Sequence, residues 1–235
     1  MLEFPTSKMQ VNKPNPNILN PEISKLEEPF LQGIYGPYKI TQEDKLEVQL
    51  YRLSILSCAI AFLTGLAHWI LIGPSLASLW LIPIAISLGL SLKWIHIYIR
   101  ALHLTLQLLW FLGCLGLGIL LVKYGSNNLL STLASQPVWV LVIGPLFASL
   151  TGLGFKEFFC FRRLEAIGLT LLLPIALLGH LTKSLNGTIV ISLLSCSAIS
   201  LLILAIRKFG MDASADVGDK SIFEYLSHQN KPENL

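Results

Sequence analysis

The chain has 235 residues, of which only 13% are charged and 53% hydrophobic, with a mean hydropathy of +0.65. The charged share is about half that of an ordinary globular protein, which excludes a disordered chain and argues against a soluble domain. Seventeen basic and fourteen acidic residues leave a formal charge of +3. The basic residues lie between apolar runs rather than in a patch, so no nucleic-acid partner is expected. Cys58, Cys114, Cys160 and Cys196 are far apart, with no CxxC pair, so neither a disulfide framework nor a metal site is implied.

Residues 1–34 mix Pro, Asn, Lys and Glu without periodicity and read as a mobile N-terminal tail with no cleaved signal. After the turn-forming Gly36-Pro37, Thr41 and Asp44 have the spacing of a capping box. Residues 35–52 are therefore expected to form a pre-span helix leading into the membrane. A bilayer core of about 30 Å needs about 20 apolar residues in helical form. Runs of that size occur near 53–72, 75–94, 101–122, 137–155, 165–182 and 187–206. The expected fold is thus all-α, a polytopic transmembrane bundle of about six spans over 53–206. The segment 207–235 reads as a tail in which Ser221 and Glu224 could cap a short amphipathic helix bearing Ile222, Phe223 and Leu226.

The charges give an orientation. Lys39, Lys45, Arg52, Lys93, Arg100, Lys156, Arg162, Arg163, Arg207, Lys208 and Lys220 fall on one side, and Lys123 and Lys183 on the other. Eleven against two places both termini in the cytoplasm or its organellar equivalent, which requires an even number of spans. Pro83, Pro145 and Pro174 fall inside spans, where each removes a backbone donor and can bend the helix. Gly113, Gly116 and Gly118, and Ser192, Cys196 and Ser200, are expected to form small-residue surfaces for close helix approach.

Three constellations could carry chemistry. Lys93, His96, Arg100, His103 and Gln107 recur at alternating steps of three and four, which on a continuous helix makes a single polar stripe. It reads either as an interfacial turn with snorkelling side chains or as a polar wall facing a partner or cavity. His68 and His180 are the depth-matched histidines of different spans, and they would be the pair to hold a haem or pigment if one were bound; no cofactor is otherwise expected. The segment 152–165 reads as a loop after span 4. In it Lys156, Glu157, Cys160, Arg162, Arg163 and Glu165 form a polar cluster suited to a protein partner, Arg162 being placed to reach Glu165. No triad or metal-ligand spacing accompanies these groups, so no enzymatic activity is expected.

At Gly36-Pro37-Tyr38-Lys39-Ile40-Thr41-Gln42-Glu43-Asp44-Lys45-Leu46-Glu47-Val48-Gln49-Leu50-Tyr51-Arg52 and at Phe155-Lys156-Glu157-Phe158-Phe159-Cys160-Phe161 the sequence resembles the DUF2301 integral membrane proteins of cyanobacteria and plastid-bearing lineages. The resemblance covers about residues 30–210. It implies a multi-pass protein with no assigned reaction, set in a cyanobacterial plasma or thylakoid membrane or the plastid equivalent. Two functions remain in view beside haem or pigment binding. The first is a non-enzymatic assembly or accessory factor that sits in the lipid bilayer and binds a membrane-protein partner. The second is a small-solute transporter or channel, although no span carries a mid-membrane acid.

Overall fold

The computed structural model describes residues 30–97 and 99–222. The expected tail over residues 1–34 lies almost wholly outside them, as do Phe223, Glu224 and Leu226 of the expected C-terminal helix. Two compact units emerge, one built from the segments on either side of the helical bundle and the other from residues 49–211.

The smaller unit starts with strands β1 (Leu31–Gln32) and β2 (Pro37–Tyr38), an antiparallel pair. Gly36, at φ 143°, makes the turn between them. Residues 35–41 are therefore a hairpin arm and linker, not the start of the expected pre-span helix, because Gly36-Pro37 cannot continue a helix. Helix α1 (Gln42–Leu71) begins immediately afterwards, on the capping box read from sequence. The Thr41 N–H donates to Asp44 Oδ2 at 2.8 Å, and Thr41 Oγ1 accepts from the Asp44 N–H at 3.2 Å. Lys220 Nζ donates to both Asp44 oxygens at 2.8 Å. Tyr38, Ile40, Val48 and Val217, the last on the short helix α7 (Ala213–Val217), form a small apolar core. Asp219 accepts from the Ile34 N–H at 2.7 Å and from the Ser221 hydroxyl and N–H at 2.6 and 2.9 Å. Burial works against its ionisation, but those hydrogen bonds outweigh it and hold the carboxyl below the usual range.

The larger unit contains the rest of α1 and helices α2 (Leu81–Trp94), α3 (Arg100–Ser135), α4 (Val140–Phe161), α5 (Leu164–Leu181) and α6 (Gly187–Lys208). Short 3₁₀ turns, Ala77–Trp80 and Pro137–Trp139, lead into α2 and α4. With those turns included, six helices among the described residues are long and apolar enough to cross a membrane. The expected all-α polytopic bundle is what the chain forms. The pre-span helix and first span are a single uninterrupted element, since no Pro occurs between Gln42 and Leu71 and Gly65 is packed against Trp80.

At 36 residues α3 would be about 54 Å long, well beyond a bilayer core of about 30 Å. Gly125, at φ 70° and ψ 163°, breaks it. Ser78 Oγ donates to Ser126 O at 2.7 Å and Ser75 Oγ to Asn127 Oδ1 at 3.1 Å, tying the α1–α2 connection to this break.

Close helix packing rests on particular glycines. A Cβ on Gly113 would lie 2.3 Å from Leu146 N, and one on Gly116 would lie 2.1 Å from Val142 O, so α3 and α4 meet backbone to backbone. Gly118 faces open space, and Ser192 and Cys196 are exposed, so neither expected small-residue surface is complete. Ser200 does abut Gly168 of α5, 2.5 Å from where its Cβ would be. Pro145 and Pro174 lie inside α4 and α5. Pro83 is in the first turn of α2, where a missing N–H costs little, so it has no kink to explain. Asn186, in the connection before α6, caps that helix by accepting from the Ile189 N–H at 2.9 Å.

Candidate functional site

The residues expected to form an exposed loop after span 4 are largely helical. Helix α4 continues to Phe161, and only Arg162, with φ 50°, and the extended Arg163 separate it from α5. The glycines of the segment serve packing. A Cβ on Gly152 would lie 2.2 Å from Leu106 Cδ2, and one on Gly154 would lie 2.9 Å from Leu169 Cδ2.

The added turns carry Lys156 and Glu157 into the interior, where Glu157 is 0% and Lys156 6% exposed. Neither belongs to a docking surface, which corrects the partner-facing reading of both. Glu157 Oε1 accepts from the Tyr51 hydroxyl at 2.5 Å and from Lys156 Nζ at 3.1 Å, and Oε2 accepts from Lys208 Nζ at 2.6 Å. Tyr51 and Lys208 are themselves buried, at 2% and 1%. The two ammonium groups also lie over aromatic rings: Lys208 Nζ is 4.5 Å from the Phe161 centroid and 5.1 Å from that of Tyr51, and Lys156 Nζ is 5.2 and 5.5 Å from the same rings. The cluster therefore joins α1, α4 and α6 at the end of the bundle where the basic residues collect. A carboxylate in a low-dielectric interior needs donors on both oxygens, and here both have them. The arrangement is a structural joint, with neither oxygen open to act on a substrate.

The second acid of the segment is also internal. Glu165 has an 8% exposed side chain, and its Oε2 accepts from Arg207 NH1 at 3.1 Å, so its partner comes from α6 and not, as expected, from Arg162. Arg162 points away because its left-handed backbone ends the helix before the i+3 spacing can apply. Arg162 and Cys160 are exposed, Arg163 half-buried, and the Arg207 side chain 54% exposed.

The polar stripe is also divided. Ile95 takes an extended conformation, as does Ile99, and the connection between α2 and α3 breaks the helical periodicity. Lys93 ends α2, His96 is half-buried in the connection, and Arg100, His103 and Gln107 lie on α3. His103 Nε2 donates to Leu92 O at 2.8 Å, capping one of the carbonyls that the end of α2 leaves without a helical donor. The Gln107 carboxamide lies 3.1 Å from the same nitrogen. Trp110 Nε1 donates to Ala85 O at 2.8 Å, with its ring against Gly89. A hollow of about 530 Å³ beside that ring is bordered by Lys93 and Gln107.

At the opposite end, Trp80 Nε1 donates to His68 Nδ1 at 3.3 Å, which leaves His68 Nε2 to donate to Ser75 O at 3.1 Å. Both ring nitrogens are thereby engaged. His180 Nε2 donates to Leu133 O at 2.9 Å. Each histidine of the expected pair thus fastens a different connection. Between these helices lies a cavity of about 470 Å³, lined almost wholly by apolar side chains, with His180 and Lys183 among its few polar ones. At this end Lys123 Nζ lies 4.4 Å from the Trp139 ring and 5.1 Å from that of Tyr124.

Sequence reasoning missed Tyr51 and Lys208 as members of the ion cluster. Lys208 counted only as an orientation signal, and Tyr51 only as part of a motif. The available signal was Glu157 itself, an acid at the end of an apolar run that must find donors from another span if it is buried.

A family model described as uncharacterized integral membrane protein, DUF2301, matches residues 90–225. That stretch includes Phe155–Phe161 but begins after Gly36–Arg52, so only the second of the two motifs falls within it. An uncharacterized protein of Haemophilus influenzae is 31% identical over 183 residues, covering 77% of this chain and 92% of its own length. No solved structure matches. Neither match mentions a cyanobacterial or plastid membrane. Six membrane-length apolar helices and a match over more than half of the residues agree on one conclusion: the chain belongs to the DUF2301 family of integral membrane proteins.

Proposed function

We propose that the protein is a non-enzymatic assembly or accessory factor for a larger membrane complex, and that it works through the basic end of its bundle. The observation that carries this reading is the sorting of charge around the α4–α5 junction. Glu157 and Glu165 are turned inward, Glu165 pairing with Arg207, while Arg162 is exposed and Arg163 half-buried at the junction itself, so the charges it presents are basic. Beside it, Phe155 and Phe159 are 47% and 72% exposed and stack at 6.2 Å. A cationic face next to an apolar aromatic pair suits an acidic segment of a neighbouring membrane protein, met at the headgroup level. The eleven-to-two distribution of basic residues supports placing this end, and both termini, in the cytoplasm. The resemblance at Gly36–Arg52 and Phe155–Phe161 supports a cyanobacterial plasma or thylakoid membrane, or its plastid equivalent. In this reading the protein carries no haem or pigment, which the engaged nitrogens of His68 support.

The transporter reading has weaker support. A transport site needs polar or ionisable groups near mid-membrane. The 470 Å³ cavity is apolar-walled, and Glu157, the most deeply buried acid among the described residues, is held by three donors.

The test is gentle extraction from native membrane followed by native electrophoresis. The expected result is migration with a partner, lost on Arg162→Gln/Arg163→Gln substitution with no change in thermal midpoint. Migration of the wild-type chain solely as a free monomer overturns the proposal.

A further inference from the structure

The cavity at the end opposite the ion cluster takes no part in the docking face. It lies within the larger unit, between α1, α2, the second half of α3, α4, α5 and α6, and Phe62, Leu66, Leu130, Phe147 and Leu194 are among its walls. Its volume of about 470 Å³ is within the range of about 300–1,000 Å³ typical of small-molecule sites. Apolar walls do not hold ordered water, because a water needs two to four polar partners. In a chain whose helices cross a bilayer, the apolar material at hand is the acyl chain of a lipid. Two groups on the cavity wall give that occupant an orientation. Lys183 lies in the exposed α5–α6 connection, beyond the end of both spans and therefore at headgroup height, and His180, fixed by its bond to Leu133 O, stands one turn below it. Among the described residues no acid lines the cavity. Trp69 and Trp80, also on its wall, are of the kind that settles at the membrane interface.

We infer that this cavity binds one acyl chain of an anionic phospholipid, with the lipid phosphate held at Lys183. The inference is independent of the partner-docking reading, since it concerns the other end of the bundle.

The experiment uses the full chain with Trp94, Trp110 and Trp139 replaced by Phe, so that emission comes from Trp69 and Trp80 alone. The protein is reconstituted in phosphatidylcholine nanodiscs containing a small fraction of either dibrominated phosphatidylglycerol or dibrominated phosphatidylcholine, whose bromines quench tryptophan on contact. The expected result is stronger quenching by the anionic lipid, corresponding to an affinity preference of about threefold to fivefold for one partly exposed charge pair. Lys183→Gln abolishes the preference and leaves quenching by both lipids. Ala134→Phe, which fills the cavity from an exposed position on its wall, reduces quenching by both. Thermal midpoints equal to that of the parent establish that both variants are folded. Equal quenching by the two lipids in the parent protein overturns the inference, and so does a preference that survives Lys183→Gln or quenching untouched by Ala134→Phe.

Discussion

Replacing Glu157 by Gln changes one atom's chemistry at the joint of α1, α4 and α6 and keeps the shape of the side chain. The Tyr51 hydroxyl can still donate to the carboxamide oxygen. Lys208 Nζ, now 2.6 Å from a carboxylate oxygen, would face an NH₂ group, and Lys156 Nζ would lose the charge it meets at 3.1 Å. Removing one partner of a buried ion pair costs about 3–5 kcal/mol, because the remaining charges keep their desolvation penalty without the compensating attraction. In a chain of this size about 1 kcal/mol moves the thermal midpoint by about 2–4 °C, so Glu157→Gln should lower it by about 6–20 °C.

The same physics predicts an asymmetry. Converting the three charged members to apolar groups, as Lys156→Met/Glu157→Leu/Lys208→Met, removes the desolvated charges together and should recover most of that loss, since such replacements are often neutral or stabilising by about 1–4 kcal/mol. Insertion should survive in both variants, because eleven basic residues in the single variant and nine in the triple still oppose two. The assay is thermal unfolding in a mild uncharged detergent, read by size-exclusion chromatography of the fluorescently tagged protein. A midpoint for Glu157→Gln within about 2 °C of wild type would falsify the argument, as would a triple variant less stable than the single one. Acid-to-amide substitution at Glu157 consequently probes the joint and not a docking face, so the docking proposal is tested on Arg162 and Arg163.

Gly113→Ala and Gly116→Ala should each lower the midpoint, because the new Cβ would strike Leu146 and Val142 backbone atoms at 2.3 and 2.1 Å, whereas Gly118→Ala, facing open space, should leave it unchanged or raise it by up to about 1 kcal/mol of helix propensity. Asn186→Ala removes the cap on the Ile189 N–H and should cost about 0.5–2 kcal/mol by the same assay; an unchanged midpoint would show the cap to be idle. For Asp219, a carboxyl lowered in the folded state stabilises the hairpin arm above its unfolded pKa of about 3.9 and loses that contribution as pH falls through the folded value. Protection of the Ile34 amide, corrected for the intrinsic pH dependence of exchange, should therefore fall below about pH 4 in the wild type and be low at every pH in Asp219→Ala. Persistence of full protection at the acid end would refute the assignment of that hydrogen bond.

Hydropathy alone determined that the chain is a polytopic helical membrane protein, since burying about 20 apolar residues per span leaves few other options in a bilayer. The capping box at Thr41 and Asp44 was equally legible, because it depends on residues three apart in one chain segment. Reading failed where a local pattern had two physical meanings. Gly152 and Gly154 look like turn residues but admit Leu106 and Leu169 from neighbouring helices, and the polar stripe from Lys93 to Gln107 assumed a helix that Ile95 and Ile99 interrupt. Gly125, in the turn-forming run Gly125-Ser126-Asn127-Asn128 just past the expected end of span 3, is where α3 breaks. Above all, composition supplied the charges, but not which of them would be taken inside. Glu157 meets Tyr51 and Lys208 across 106 and 51 residues, and Glu165 meets Arg207 across 42. A buried charge is stable only with partners, and which partners arrive is set by helix packing over those separations, a quantity that no local window of sequence contains.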